Sequence, residues 1–335
     1  MKTLVCASPH HFEYTDTEKP SIQPGHTLLR IQRVGVCGTD LHAFEGTQPY
    51  FNYPRILGHE LAAIIEETNA PGFKNGDAVT IIPYFNCGTC IACRKGKPNC
   101  CVSMKVCGVH VDGGMREFLL VPDSSLVRGE GLSLDELALV EPLAIGAHAV
   151  RRAAVEKDEF VLVVGAGPIG LGTMEFARIA GGKVIAIDVQ ESRLEFCRTK
   201  LNIPHTINAK NDVMAELQRI TDGDMPTVVI DATGNLKAIT NAFQYLAHGG
   251  RYVLVGLQKE EISFSHPEFH KRESTLMSSR NATRADFEHV LASMRKKLVD
   301  PATYITHRVG FEEVKDHFSS WLDPKNGVIK AMIGM

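Results

Sequence analysis

Two rhythms of apolar and polar positions divide the chain. Up to about residue 150, short apolar runs are separated by Gly, Pro and Asn, which predicts an irregular, mostly antiparallel β domain. The runs are TLLRIQRVGV, ELAAIIEE, DAVTIIP and GMREFLLVP. Beyond them the pattern alternates. FVLVVG reads as a buried strand and PIGLGTMEFARIAG as a helix with a Gly stop. KVIAID and ESRLEFCRTKL repeat the pair, as do PTVVIDATG, NLKAITNAFQYLAHGG and RYVLVG. Strand–helix alternation with Gly-rich turns at strand ends predicts parallel βαβ units in a doubly wound α/β sheet. The helix EPLAIGAHAVRRAAV is the expected joint. From Thr283 a further helix is predicted, with Thr283 and Asp286 as a capping box, and GVIKAMIG closes the chain as a strand. No internal repeat or low-complexity segment interrupts this plan.

Composition narrows the class. The 335 residues are 44% hydrophobic and 22% charged, with a formal net charge of −3. That length allows two domains with sizeable cores. The slight acidic balance excludes an electrostatic case for nucleic acid. No apolar stretch approaches the ~18 residues of a membrane span. The opening MKTLVCASPHHFEYTD turns polar too soon for a secretory signal, so a cytoplasmic address is expected. In that reducing compartment, clustered cysteines favour metal binding or catalysis over disulfides.

Such a cluster exists. CGTCIACRKGKPNCC places Cys87, Cys90, Cys93 and Cys101 in the pattern C-x2-C-x2-C-x7-C, with Gly88, Gly96 and Pro98 supplying turns. Four thiolates round one tetrahedral ion is the requirement of structural zinc. The bacterial ferredoxin run ends C-x3-C-P, and no cysteine here precedes a proline. A thioredoxin-like centre uses a single CxxC at a strand–helix junction. Cys6, Cys107 and Cys197 read as packed thiols.

VLVVGAGPIGLG carries Gly165, Gly167 and Gly170 as GxGxxG between a predicted strand and helix, with Pro168 and Ile169 inside it. That context gives the motif its meaning: a tight turn, room for pyrophosphate, and close helix packing over orphan N–H groups. Asp188 ends the next strand, 188 − 165 = 23 residues on. An acidic residue about 20 residues on binds ribose hydroxyls and favours NAD over NADP; Arg193 is near enough in sequence to blunt the preference.

A second donor set precedes the nucleotide half. GVCGTDLH offers Cys37, Thr39, Asp40 and His42, LGHE offers His59 and Glu60, and VEPLA offers Glu141. Thiolate, imidazole and carboxylates with one exchangeable position suit catalytic zinc.

GVCGTDLH, GHE, the four-cysteine lobe, EPLA and GAGPIG occur in one order along the chain. In this the sequence resembles the zinc-dependent medium-chain dehydrogenases, the alcohol, sorbitol and threonine dehydrogenase family. The resemblance implies a GroES-like, mostly β catalytic domain over 1–146 with the zinc lobe at 87–101, a Rossmann NAD-binding domain over 147–282, and a C-terminal return over 283–335. It implies two zinc ions per chain and a homodimer or homotetramer. Cys37, His59 and Glu141 would hold the catalytic zinc, with Glu60 a ligand or its neighbour. Cys101, rather than Cys100, fits the fourth position of the lobe. Asp40 would hydrogen-bond His59. Thr39 would take the substrate proton and pass it by the nicotinamide ribose toward His42, while Val255, Gly256 and Leu257 would run past the carboxamide.

Glu141 in the donor set places the chain with polyol and threonine dehydrogenases. QPYFNYPRILGHE, GVHVDGGMREF and FHKRESTLMSSRNAT further resemble bacterial sugar-acid dehydrogenases of the L-galactonate and L-gulonate 5-dehydrogenase type. The substrate would be a hexonate oxidised at C5, its carboxylate gripped by Arg280. The rival expectations are a polyol or L-threonine dehydrogenase, a zinc aldehyde reductase, and a non-catalytic NAD-binding sensor.

Overall fold

The structure, a computed structural model, describes residues 1–49 and 51–335. Tyr50, inside QPYFNYPRILGHE, lies outside the described residues. The chain forms two compact units, Met1–Pro142 with Thr283–Met335, and Leu143–Ala282. The first division falls inside the helix Val140–Ala153, four residues before the expected boundary at 146. No helix among the described residues is long and apolar enough to cross a membrane.

The first unit is built on a seven-stranded sheet. Its strands run in the order Ile305–Gly310, Lys330–Gly334, His26–Val36, Glu60–Glu67, Ala78–Ile81 and Leu126–Arg128, and Phe118–Pro122 also pairs with His26–Val36. All neighbours are antiparallel except the first two, which are parallel. Leu29, Ile31, Val34, Leu61, Ala63, Ile65 and Val79 are buried in one core. Phe12 stacks on Phe44 at 5.0 Å and meets Phe318 edge-on at 4.9 Å, so the C-terminal segment helps to seal that core.

Register positions the chemistry. Gly35 lies opposite Glu60 on the two central strands. Cys37 is therefore just past the end of one strand, and His59 just before the start of its neighbour. Antiparallel pairing brings both to the same sheet edge. The helix Gly38–Glu45 leaves directly from Cys37.

The second unit is a six-stranded, wholly parallel sheet. Its order is His205–Asn208, Lys183–Asp188, Phe160–Val164, Val228–Asp231, Arg251–Leu254 and Thr275–Ser278. This is the doubly wound order 3-2-1-4-5-6 of a dinucleotide fold. The central strands are continuous apolar runs because helices cover both faces. The turn after Phe160–Val164 depends on glycine sterics. Gly165 has φ of +98°, and a Cβ on Gly170 would sit 1.8 Å from the Gly165 carbonyl oxygen. Gly167 is different, since a Cβ there meets only the Arg193 guanidinium at 3.4 Å.

Gly170→Ala should therefore cost about 1–3 kcal/mol of stability, the range for overpacking. Gly167→Ala, at the N-cap of the helix Pro168–Ile179, should cost under about 1 kcal/mol. Urea midpoints of the two variants check this; equal losses would contradict the packing argument.

Candidate functional site

Cys37, His59 and Glu60 converge: one ligand atom from each lies within 4.8 Å of the others. His59 is 5% exposed and Glu60 fully buried. The burial is chemically unusual. Asp40, Glu60 and Glu141 are 1%, 0% and 4% exposed, and Lys330, 2% exposed, brings a buried ammonium to Glu60. Carboxylates out of water need compensation. Burial pushes His59 down, but Asp40 and then Cys37 pull harder, and its pKa is held well above the usual imidazole range. The surroundings favour positive charge, and the thiol, imidazole and carboxylate are donors suited to zinc.

Asp40 does not make the expected hydrogen bond to His59. Its Oδ1 stands 3.7 Å from His59 Nδ1. The carboxylate is held instead by backbone: Oδ2 accepts from Cys37 N at 2.9 Å and Oδ1 from Gly58 N at 3.1 Å. Asp40 thus ties together the two loops that carry Cys37 and His59. Among the described residues His59 Nδ1 has no hydrogen-bond partner.

Glu141 is buried in the same pocket but stands outside the converging triplet. Its carboxylate accepts from the Tyr84 hydroxyl. Burial, then the charge of Glu141, hold Tyr84 well above the usual phenol range, so it stays a donor. Burial also raises Glu141. Thr39 and His42 share one face of the helix Gly38–Glu45, three residues apart. The His42 side chain is 63% exposed, with Nδ1 3.2 Å from Thr47 Oγ1 and 3.4 Å from Glu45 Oε2.

The four-cysteine lobe is a closed cluster. Cys87, Cys90, Cys93 and Cys101 gather their sulfurs, and Cys100 is exposed and excluded. The Sγ–Sγ separations are 3.5 Å for Cys90–Cys93 and Cys87–Cys101, and 3.9 Å for Cys90–Cys101. A disulfide needs about 2.05 Å; a tetrahedron with Zn–S of about 2.3 Å has edges of about 3.8 Å. Backbone N–H groups point at the sulfurs, Cys90 N at Cys87 Sγ (3.4 Å) and Cys87 N at Cys101 Sγ (3.3 Å). The Thr89 hydroxyl, then backbone N–H groups, lower Cys87 to about 6. That favours thiolate, the ligating form.

In the second unit Asp188 braces the glycine turn. Its Oδ2 accepts from Ala166 N at 2.7 Å and Oδ1 from Gln190 N at 2.8 Å. Each oxygen keeps capacity for a further donor. Arg193 donates to the Ala166 carbonyl at 3.2 Å, which sets its guanidinium against the glycine turn. Val255 and Gly256 both donate to the Asp231 carbonyl, at 2.9 and 3.2 Å, and Leu257 beyond them is 62% exposed. Arg280 is exposed, two residues past the edge strand Thr275–Ser278.

Three participants escape the sequence reading. Lys330 and Tyr84 contact site residues far away in sequence. Asp231, fully buried, holds the turn at Thr233 and Gly234. A lysine inside an apolar terminal strand was the one available signal among them.

Comparison with known proteins accords with this arrangement. Residues 23–131 match the alcohol dehydrogenase GroES-like domain and residues 168–296 the zinc-binding dehydrogenase domain. The L-galactonate-5-dehydrogenase of Escherichia coli K12 is 42% identical, with 99% of this chain and 98% of that protein covered. A sorbitol dehydrogenase of Halalkalibacterium halodurans is 31% identical over 93% and 94% of the two chains. The crystal structure of an Escherichia coli CFT073 alcohol dehydrogenase, rspB, complexed with NADH superposes with a TM-score of 0.92 at 29% identity, covering 100% and 99%. The chain belongs to the zinc-binding alcohol dehydrogenase family. It is an oxidoreductase, a zinc-dependent alcohol or polyol dehydrogenase acting on a small molecule.

The lobe geometry makes a direct prediction. Cys93→Ala should lower the zinc content by one ion per chain and destabilise the fold, whereas Cys100→Ala should change neither. Elemental analysis with thermal melting checks this, and zinc loss from Cys100→Ala would overturn the ligand choice.

Proposed function

We propose that the chain oxidises a secondary alcohol of a sugar acid, a hexonate hydroxyl at C5, to the ketone with NAD as acceptor. The observation that carries this is the 42% identity along 99% of the chain to an L-galactonate-5-dehydrogenase. The donor set fits zinc, and the glycine turn fits a dinucleotide. Cys37 and His59, with carboxylate from Glu141 and Glu60 close by, would hold a catalytic ion; Cys87, Cys90, Cys93 and Cys101 would hold a structural one. Gly165, Gly167, Pro168, Ile169 and Gly170 would receive the pyrophosphate, Asp188 the ribose hydroxyls, and Val255, Gly256 and Leu257 the nicotinamide end. Arg193 would touch the phosphate side. Cytoplasmic location and a homodimer or homotetramer complete the reading, the latter open to light scattering.

When bound, zinc supplies polarisation of the substrate oxygen and NAD supplies the hydride acceptor. The chain's part is to place the alcohol and remove its proton. Thr39, beside Cys37, would accept the substrate hydroxyl proton as it gives up its own toward His42. His42, three residues on and exposed, returns it to solvent. Arg280 would bind the substrate carboxylate in a two-point grip, which selects the hydroxyl presented for oxidation.

Thr39→Val should lower kcat by about 10²-fold or more, the scale of acid–base assistance, and keep its zinc. Cys37→Ala should lose metal as well as rate. Equal zinc loss in both would make Thr39 a structural support of the site.

The substrate is tested by NADH formation over a panel of hexonates, hexitols and L-threonine, with NADP run in parallel. L-galactonate or L-gulonate should give the highest kcat/KM, and NAD should exceed NADP. Arg280→Met should raise the hexonate KM about tenfold, equivalent to about 1.4 kcal/mol, and leave the KM for NAD unchanged. Sorbitol or L-threonine surpassing every hexonate would replace the sugar-acid reading with the polyol or threonine one, which the likeness to sorbitol dehydrogenase keeps in view.

A further inference from the structure

The four-cysteine lobe sits at the tip of a ribbon whose other end reaches the donor pocket. The ribbon is two short strands, Tyr84–Phe85 and Lys105–Val106, paired antiparallel with Tyr84 opposite Val106 and Phe85 opposite Lys105. Cys107 N adds one bond to the Pro83 carbonyl at 2.9 Å. All four lobe cysteines fall between these strands in sequence. At the tip Cys87 N donates to Cys101 Sγ at 3.3 Å, so the first and last of them close the ribbon on itself.

Each leg ends on a different part of the pocket. On the first, Tyr84 is 6% exposed and its hydroxyl donates to Glu141. On the second, the turn after Cys107 grips the segment that delivers His59. Gly113 N donates to the Ile56 carbonyl at 2.8 Å, Gly114 N to that of Gly58 at 2.9 Å, and Met115 N to that of Leu57 at 3.0 Å. Asp112 Oδ1 accepts from Arg55 Nη1 at 3.2 Å and from Ile56 N at 3.3 Å. The two segments leave no room for a side chain between them: a Cβ on Gly113 would stand 2.3 Å from the Gly58 carbonyl oxygen.

Two residue pairs make a ribbon that is marginal in water. What joins its legs is the lobe, and the lobe needs an ion. Sulfurs 3.5 Å apart, as in Cys90–Cys93 and Cys87–Cys101, repel one another as thiolates unless a cation lies among them. With the lobe loaded, the legs are fixed, and Glu141 and the His59 segment are in place before a second ion arrives. With the lobe empty, the second ion has to order them itself, which lowers its affinity.

We propose that the four-cysteine lobe is a clamp on the donor pocket: metal in the lobe strengthens metal binding at Cys37 and His59, and Tyr84 and the Asp112–Met115 turn carry the coupling. This rests on the reading that both clusters hold metal. Such coupling is reciprocal, so an ion in the pocket slows loss of the ion from the lobe. A lobe that served stability alone would set the melting temperature and leave the pocket's affinity in folded protein unchanged.

The test uses the full-length protein with cobalt titrated into the pocket, whose visible bands are those that Cys37→Ala removes. Cys93→Ala, with elemental analysis showing the lobe empty, is titrated well below its melting temperature. Its pocket should bind cobalt about 10-fold more weakly than the wild type's, inside the usual range of coupling between two sites. Tyr84→Phe, with its lobe still loaded, should also weaken the pocket. In the double variant the two losses should combine to less than their product, because both cut the same connection. Unchanged pocket affinity in Cys93→Ala overturns the clamp, and independent losses remove Tyr84 from it. If Cys93→Ala does not fold, the wild type decides. Zinc release from the lobe to a mercurial reagent should be about 10-fold slower with cobalt in the pocket than with the pocket stripped by a chelator; equal rates overturn the proposal. If no cobalt band depends on Cys37, it is the metal reading of the pocket that fails.

Discussion

Buried negative charge is the constraint on which the first unit is organised. Asp40, Glu60 and Glu141 sit out of water within one pocket, beside a cysteine and an imidazole. Isolated, each would be costly. Each is therefore bonded: Asp40 by the N–H groups of Cys37 and Gly58, Glu60 by Lys330, and Glu141 by Tyr84. These three contacts draw in the strand ends, the loop before His59, the C-terminal strand and the joint helix. The pocket is the place where widely separated segments meet, so its charge balance and the local fold are one problem. A dication between Cys37 and His59 suits that balance, because the bonded carboxylates stay close enough to act on it.

The second unit is organised by shape. A parallel sheet buried on both faces fixes the strand ends, and the glycine turn is as tight as backbone allows, with Gly170 pressed on the Gly165 carbonyl. Asp188 then ties that turn to the next strand through Ala166 N. Its carboxylate serves the loop's geometry while retaining acceptor capacity for a hydroxyl. A turn built largely of backbone suits a cofactor whose phosphates are bound by N–H groups.

The elements were legible in proportion to how local their causes are. The Thr283–Asp286 capping box forms as its spacing implies, with Thr283 N and Oγ1 both 2.8 Å from Asp286 Oδ2. The glycine motif and the cysteine lobe are also short-range patterns, and both fold as such. The sulfur cluster selects Cys101 over Cys100 because adjacent side chains diverge. Long-range partners were not legible. Glu60 and Lys330 are 270 residues apart, and their contact depends on strand order and on an empty Gly35 position that no periodicity reveals. Tyr84 reads as an ordinary core aromatic until Glu141 is beside it. The expected Asp40–His59 bond is not made for a related reason: the N–H groups of Cys37 and Gly58 fix the carboxylate where its Oδ1 stands 3.7 Å from His59 Nδ1.

Anomalous scattering at the zinc edge from crystals of the full-length chain bears most directly on a metal-centred pocket. Two peaks per chain are predicted, one enclosed by the sulfurs of Cys87, Cys90, Cys93 and Cys101, and one between Cys37 and His59. A single peak in the cysteine lobe, with Cys37 and His59 bare in zinc-saturated crystals, would contradict it.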